Sequence, residues 1–125
     1  MKHIKIESRK IFTLEFAEYN PRTISKKQFK DLKKSITEFG IVAPIVVNIN
    51  KDRENVIVGG HQRVRALQDL GHESVLCALV DLPLQEEMKL NLRLNKNGGK
   101  FDDDMLINYF DEEVLFEVGF TANDL

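Results

Sequence analysis

The sequence predicts a mixed α+β domain, and three observations lead there. Short β-branched runs at Ile45-Val46-Val47, at Val56-Ile57-Val58 and from Ser74 to Val80 suit buried strands. Stretches with apolar residues at helical spacing separate them, at 25–39, 61–70 and 84–95. One strand also passes through Gly59-Gly60 straight into a helical pattern. A chain of 125 residues, 42% hydrophobic and 30% charged, fits one globular domain with a modest core.

Composition excludes several classes. The net charge of −2 gives no global field toward nucleic acid, so any DNA contact has to come from a local patch. The single Cys77 excludes an internal disulfide and a cysteine-based zinc cluster, and it reads as a small inert core residue. No stretch has the length of a membrane span, and Met1-Lys2-His3-Ile4-Lys5 has no apolar signal region. The expectation is therefore no membrane partner and a cytoplasmic protein.

In chain order, residues 3–16 read as one or two short strands, with Ile4, Ile6, Ile11, Leu14 and Phe16 as apolar points. Tyr19-Asn20-Pro21-Arg22 is a turn, because proline holds its predecessor extended. Ser25 caps a helix and Gln28 completes a capping box; Phe29, Leu32, Ile36 and Phe39 share one face, and Gly40 stops it. Pro44 opens a strand to Asn50, Lys51 to Glu54 turn, and Asn55 to Val58 return as the second arm of a hairpin. The next helix places Val64, Leu67 and Leu70 toward the core and stops at Gly71. Ser74 to Val80 is a strand. Leu84 to Asn95 is a helix with Leu84, Met88 and Leu92 on one stripe, widened by Leu90 and Leu94. Asn97 to Lys100 forms a loop, Asp102 caps a short helix, and Glu112 to Val118 is a last helical piece. Residues 1–100 are thus expected to form a core, and 101–125 a helical extension packed on it or leading to another domain.

The chemistry concentrates at Val56-Ile57-Val58-Gly59-Gly60-His61-Gln62-Arg63-Val64-Arg65-Ala66. A strand turning through glycine into a helix presents N–H groups and the positive end of the helix dipole. Gly59 and Gly60 would let a ligand approach the backbone. Arg63 and Arg65 add guanidinium groups suited to phosphate oxygens. The alternative is a tight strand-to-helix turn with solvated arginines.

Gly60-His61-Gln62-Arg63-Val64-Arg65-Ala66 resembles the second box of the ParB N-terminal domain, written G-E-R-R-x-R-A. Gly59-Gly60-His61-Gln62-Arg63 is also similar to the G-G-C-H-R signature of sulfiredoxin, which shares that fold. Asn20-Pro21-Arg22 resembles the family's N-P-R box, and Asn91 to Lys96 falls where its third box, E-N-x-x-R, would lie. The likeness spans roughly residues 4–100 and is strongest to the ParB-like domains of phages and mobile elements, often joined to DNA methyltransferases. It implies a small mixed sheet flanked by helices and a bound nucleoside triphosphate, CTP or ATP. By position, Arg63 and Arg65 would hold phosphates, Gly59, Gly60, His61 and Gln62 would contribute at the turn, and Arg22 and Asn95 would lie near the nucleotide.

Three departures limit what carries over. His61 and Leu94 stand where the second and third boxes have glutamates, and Gln62 replaces an arginine. Both losses remove hard oxygen ligands that Mg²⁺ prefers, so metal-dependent hydrolysis does not follow. Ala43 stands where a polar residue is common in the family's G-L-x-Q-P-I stretch, and a sulfiredoxin-type reductase is excluded because His61 takes the place of its cysteine. His61 is the candidate general acid or base, since imidazole titrates near neutrality. Lys26, Lys27, Lys30, Lys33 and Lys34 form either a solvated face or a contact for DNA phosphates without sequence specificity. His3, His61 and His72 lack ligand spacing, so no metal site is expected. The resemblance thus points to nucleotide binding in a DNA-associated process. An enzyme of the same fold (nucleotide hydrolysis, phosphoryl transfer or nuclease) and a docking module without nucleotide remain the alternatives.

Overall fold

The computed structural model describes residues 3–20, 22–95 and 100–101. Its elements are β1 (Lys5–Lys10), a single 3₁₀ turn (Ile11–Thr13), β2 (Arg22–Thr23), α1 (Lys26–Phe39), β3 (Ile45–Asn48), β4 (Val56–Gly59), α2 (His61–Asp69), β5 (Ser74–Val80), α3 (Leu84–Asn95) and β6 (Lys100–Phe101). The expected short helix from Asp102, the helical piece at Glu112 to Val118 and most of the Asn97 to Lys100 loop lie outside the described residues.

Four strands form one mixed sheet in the order β1-β5-β3-β4. β3 and β4 make the expected antiparallel hairpin, β3 runs parallel to β5, and β1 pairs antiparallel with β5. A separate two-stranded ladder joins Arg22 to Phe101 and Thr23 to Lys100. Lys100 is therefore strand rather than loop, and Arg22 leaves the expected turn to enter β2.

Local signals account for the element ends. Ser25 accepts from the Gln28 N–H at 3.1 Å, and the Gln28 side chain accepts from the Ser25 N–H at 2.8 Å. This reciprocal box fixes the start of α1. Gly40 and Gly71 follow α1 and α2 with positive φ, where an L side chain would be strained. The core joins Ile36 of α1 and Val64, Ala66 and Leu67 of α2 to Ile45, Val47, Ile57, Val75, Cys77 and Leu79 of the sheet. Cys77 is buried there, and burial pushes its thiol pKa up, as suits an inert packing residue.

Several apolar residues face away from this core. Phe39 and Leu70, at the ends of α1 and α2, are exposed, and so are Ile4, Ile6 and Phe16. Ile6 stands opposite Ala78, and Ser8 opposite the exposed Leu76, so this face of the β1–β5 pair is open. The alternation at Ile4 and Ile6 marks a strand, but not a buried face.

The larger departure is α3. Its bounds are as expected, yet Leu84 and Leu94 are exposed, and the buried positions are Glu87, Asn91, Leu92 and Asn95. Three polar residues one helical turn apart face inward. Glu87 is wholly buried and accepts from Asn48 Nδ2 at 2.9 Å, from Arg53 Nε at 3.1 Å and Nη2 at 3.0 Å, and from the Tyr19 hydroxyl. Burial alone would raise its pKa, but the hydrogen bonds from Arg53, Tyr19 and Asn48 outweigh it and hold the carboxyl below its ordinary range. Asn91 donates to the Val58 carbonyl at 2.9 Å, which fixes α3 against β4.

Removing one partner of a buried ion pair leaves the other charge uncompensated. Arg53→Met, which leaves Glu87 buried without its cation, should lower unfolding free energy by on the order of 3 kcal/mol, measured by urea denaturation at neutral pH.

Candidate functional site

The buried run Val56-Ile57-Val58 delivers Gly60 to the start of α2, where its φ of 104° lies in the left-handed region. Gly60 caps α2 and has no side chain to accept from the helix's first N–H groups. Both glycines make room for side chains of the chain itself. A Cβ at Gly59 would sit 2.8 Å from Leu94 Cδ1, and one at Gly60 would sit 2.6 Å from Ile45 Cδ1.

Residues 15–20 run beside β4 as a strap. Glu15 bridges Val56 in parallel, with Glu15 N–H to Asn55 O at 2.9 Å and Ile57 N–H to Glu15 O at 2.8 Å. Further along, the Ala17 N–H donates to His61 Nε2 at 3.2 Å, and Tyr19 reaches Glu87. The strap and the first turns of α2 enclose a cleft of about 380 Å³, lined by Phe16, Ala17, Asn20, Thr23, Ile24, His61, Gln62 and Arg65. The cleft thus joins Asn20 of the first motif to three residues of the second. A larger hollow of about 490 Å³, lined by Lys10, Ile11, Phe12, Gln68, His72 and Glu73, lies toward the other end of α2, away from both motifs.

The two arginines diverge. Residues two apart on a helix do not share a face. Arg65 is exposed on the cleft, donates to Gln62 Oε1 at 3.2 Å, and holds its guanidinium 5.6 Å from the Phe29 ring centroid. Arg63 instead donates to the carbonyl of Ala43 and lies 3.5 Å from that of Pro44, so it braces the loop before β3.

His61 is buried, 6.0 Å from the Phe16 ring, with Nε2 accepting from Ala17. Burial lowers its pKa from 6.5 to about 4, against a smaller opposing effect of Glu87. It is therefore neutral at pH 7, with its proton on Nδ1. Asn95 is buried and donates to the Asn91 carbonyl within α3 at 2.8 Å, apart from the residues lining the cleft. Arg22 lies in β2, next to Thr23 of the cleft. Of the α1 lysines, Lys26, Lys27, Lys30 and Lys34 are exposed, whereas Lys33 pairs with Asp69 of α2 at 2.6 Å and lies 5.2 Å from the Phe29 ring.

Two features escaped the sequence reading. Asn20 places a buried Oδ1 with no hydrogen-bond partner at the cleft. The spacing Glu87, Asn91, Asn95 is a polar stripe at helical period, and it was the available sign that α3 turns a polar face inward. Among the described residues no group of three or more His, Cys, Asp or Glu could hold a metal ion, and no helix is long and apolar enough to cross a membrane. The residues lining the cleft include no carboxylate, the hard oxygen ligand that Mg²⁺ prefers, so this set does not fit that ion.

A family model described as ParB N-terminal domain matches residues 2–97. A probable chromosome-partitioning protein ParB from Campylobacter jejuni is 27% identical over 110 residues, covering 80% of this chain and 39% of that protein. The chain thus spans about two fifths of that curated relative. Among solved structures, the C-terminally truncated chromosome-partitioning protein ParB from Caulobacter crescentus complexed with CTP-gamma-S is similar at 25% identity and a TM-score of 0.67, covering 96% of this chain and 68% of that one. Sulfiredoxin from Arabidopsis thaliana is similar in fold, with 24% identity, a TM-score of 0.56, and coverage of 72% of this chain and 99% of that one.

The buried, neutral His61 makes stability depend on pH. The unfolded chain binds the imidazole proton more tightly than the folded one, so stability is complete above about 6.5 and is lost as pH falls toward about 4. The loss should total on the order of 3 kcal/mol. Urea unfolding from pH 7 to pH 4 should show this slope in the wild type and a flatter one in His61→Gln.

Proposed function

The chain belongs to the ParB N-terminal domain family, and from that premise we propose that it binds a nucleoside triphosphate in the cleft between the strap and the start of α2. The observation that carries this reading is the meeting of Asn20 with His61, Gln62 and Arg65 in one cleft. The likeness to a ParB crystallised with CTP-gamma-S supports CTP as the first nucleotide to test, with ATP as the second.

Arg65 is the main phosphate ligand in this reading. Its guanidinium is exposed at the cleft and already oriented by Gln62. The dipole at the start of α2 adds to it, and Gly59, Gly60, His61 and Gln62 act by shaping the turn. Arg63 and Asn95 serve as braces, on the Ala43-Pro44 loop and within α3. Arg22 of β2 is the remaining family position included in this proposal. A neutral His61 with Nε2 engaged is a positioning group rather than a general acid or base. The proposal is therefore binding without Mg²⁺-dependent hydrolysis.

The process served is DNA-associated, as the chromosome-partitioning relative suggests, and the phage or mobile-element setting and a methyltransferase partner domain are part of the same proposal. Lys26, Lys27, Lys30 and Lys34 supply an exposed basic face for DNA phosphates without base reading, while Lys33 belongs to the α1–α2 contact. A cytoplasmic setting belongs to the same proposal.

Calorimetric titration with CTP, ATP and GTP, with and without Mg²⁺, tests the central claim. Saturable binding to the wild type, little changed by Mg²⁺, is expected. Arg65→Ala should weaken it at least tenfold, and Arg63→Ala should act mainly by lowering thermal stability. Absence of binding to every nucleotide overturns the reading in favour of a docking module.

A further inference from the structure

We infer that Glu87 is a positioning residue of the nucleotide cleft, acting through Tyr19 on the strap that carries Asn20. This rests on the binding reading above. Glu87 is not among the residues lining the cleft, but its effect can reach it through a short chain of contacts.

The strap is fixed at its start by backbone bonds of Glu15 to Asn55 and Ile57. Beyond that point its path is set by side chains. The Ala17 N–H meets His61, and the Tyr19 hydroxyl donates to Glu87. Tyr19 is 1% exposed and Glu87 is 0% exposed, so this contact is shielded from competing water. The carboxylate in turn is immobilised by Asn48 at the end of β3 and by Arg53 in the β3–β4 turn. Asn48 is itself fixed, since it donates to the Leu82 carbonyl and accepts from the Leu82 N–H. The frame is thus anchored at both ends of the hairpin turn and at the start of α3.

Asn20 follows Tyr19 directly, and its N–H is held by the Ala17 carbonyl at 3.2 Å. The two side-chain anchors therefore bracket the segment that places Asn20 across from His61, Gln62 and Arg65. A strap without the Tyr19–Glu87 bond keeps its Glu15 and Ala17 bonds and the exposed Glu18–Arg53 ion pair at 3.7 Å, but loses the buried anchor next to Asn20, so Asn20 loses its fixed distance from Arg65. Sites held within fractions of an ångström by supporting groups lose affinity when that support is removed.

The inverse possibility is that Glu87 stabilises the fold and nothing more. Tyr19→Phe separates the two, because it removes only the hydroxyl and leaves Glu87 with its Asn48 and Arg53 donors. Val75→Ala is the control: Val75 is buried on β5, two strands from β4, and its truncation lowers stability without touching the strap. CTP affinity by calorimetry and amide hydrogen exchange at Ala17 and Asn20 are measured in both variants and the wild type.

The expected result is at least tenfold weaker CTP binding by Tyr19→Phe, with faster exchange at Ala17 and Asn20 than at the core amides. Val75→Ala should bind CTP as the wild type does. Wild-type affinity in Tyr19→Phe overturns this inference alone. Equal losses of affinity in both variants also overturn it, by assigning the effect to general destabilisation. Failure of the wild type to bind CTP, ATP or GTP overturns the binding reading and this inference with it.

Discussion

A carboxylate with no exposed surface organises this fold. Glu87 survives as an ion in the interior because Arg53, Tyr19 and Asn48 replace the water it gives up. Those donors come from the strap, the end of β3 and the hairpin turn, so one charge ties together segments far apart in sequence. Two consequences radiate from it. α3 must turn a polar face inward, which leaves Leu84 and Leu94 outside, and the strap must approach β4 closely enough for Tyr19 to reach it. The apolar core of α1, α2 and the sheet supplies bulk, while this network supplies register.

The cleft shows how strongly helix geometry filters a sequence motif. Arg63 and Arg65 look equivalent on paper. On a helix they lie on different faces, and one braces a loop while the other faces the cleft. His61 undergoes a similar change of reading. Near neutrality an imidazole suggests proton transfer, but burial moves its titration to about 4 and Ala17 engages the acceptor nitrogen. The glycines, too, serve packing: both make room for neighbouring side chains of the same chain, Leu94 and Ile45.

Much of this architecture was legible because its causes are local. The Ser25–Gln28 box, the glycine after each of the first two helices and the β-branched run at Ser74 to Val80 act within a few residues, so their elements fall where expected. The resemblance implied that Arg22 lies near the second motif; that Asn20 meets His61, Gln62 and Arg65 in one cleft followed neither from it nor from spacing. What stayed hidden was non-local. The β2–β6 ladder joins two-residue strands with no compositional mark. The inward face of α3 depends on donors from three other segments, and hydrophobic periodicity alone favours its leucines. The direction of each arginine depends on where the Ala43-Pro44 carbonyls lie in space.

The position of β1 at the sheet's edge bears on how the chain reaches this state. Its strand neighbour is β5, so Lys5 finds Leu79 and Lys10 finds Ser74. The hairpin β3–β4 and helix α2 can form from near neighbours, but β1 cannot join the sheet until β5 exists. Such long-range closure slows assembly relative to local pairing. During synthesis β1 therefore stays unpaired until β5 has been made. Its charged residues Lys5, Glu7, Arg9 and Lys10 are of the kind that disfavours pairing of an open edge with another chain.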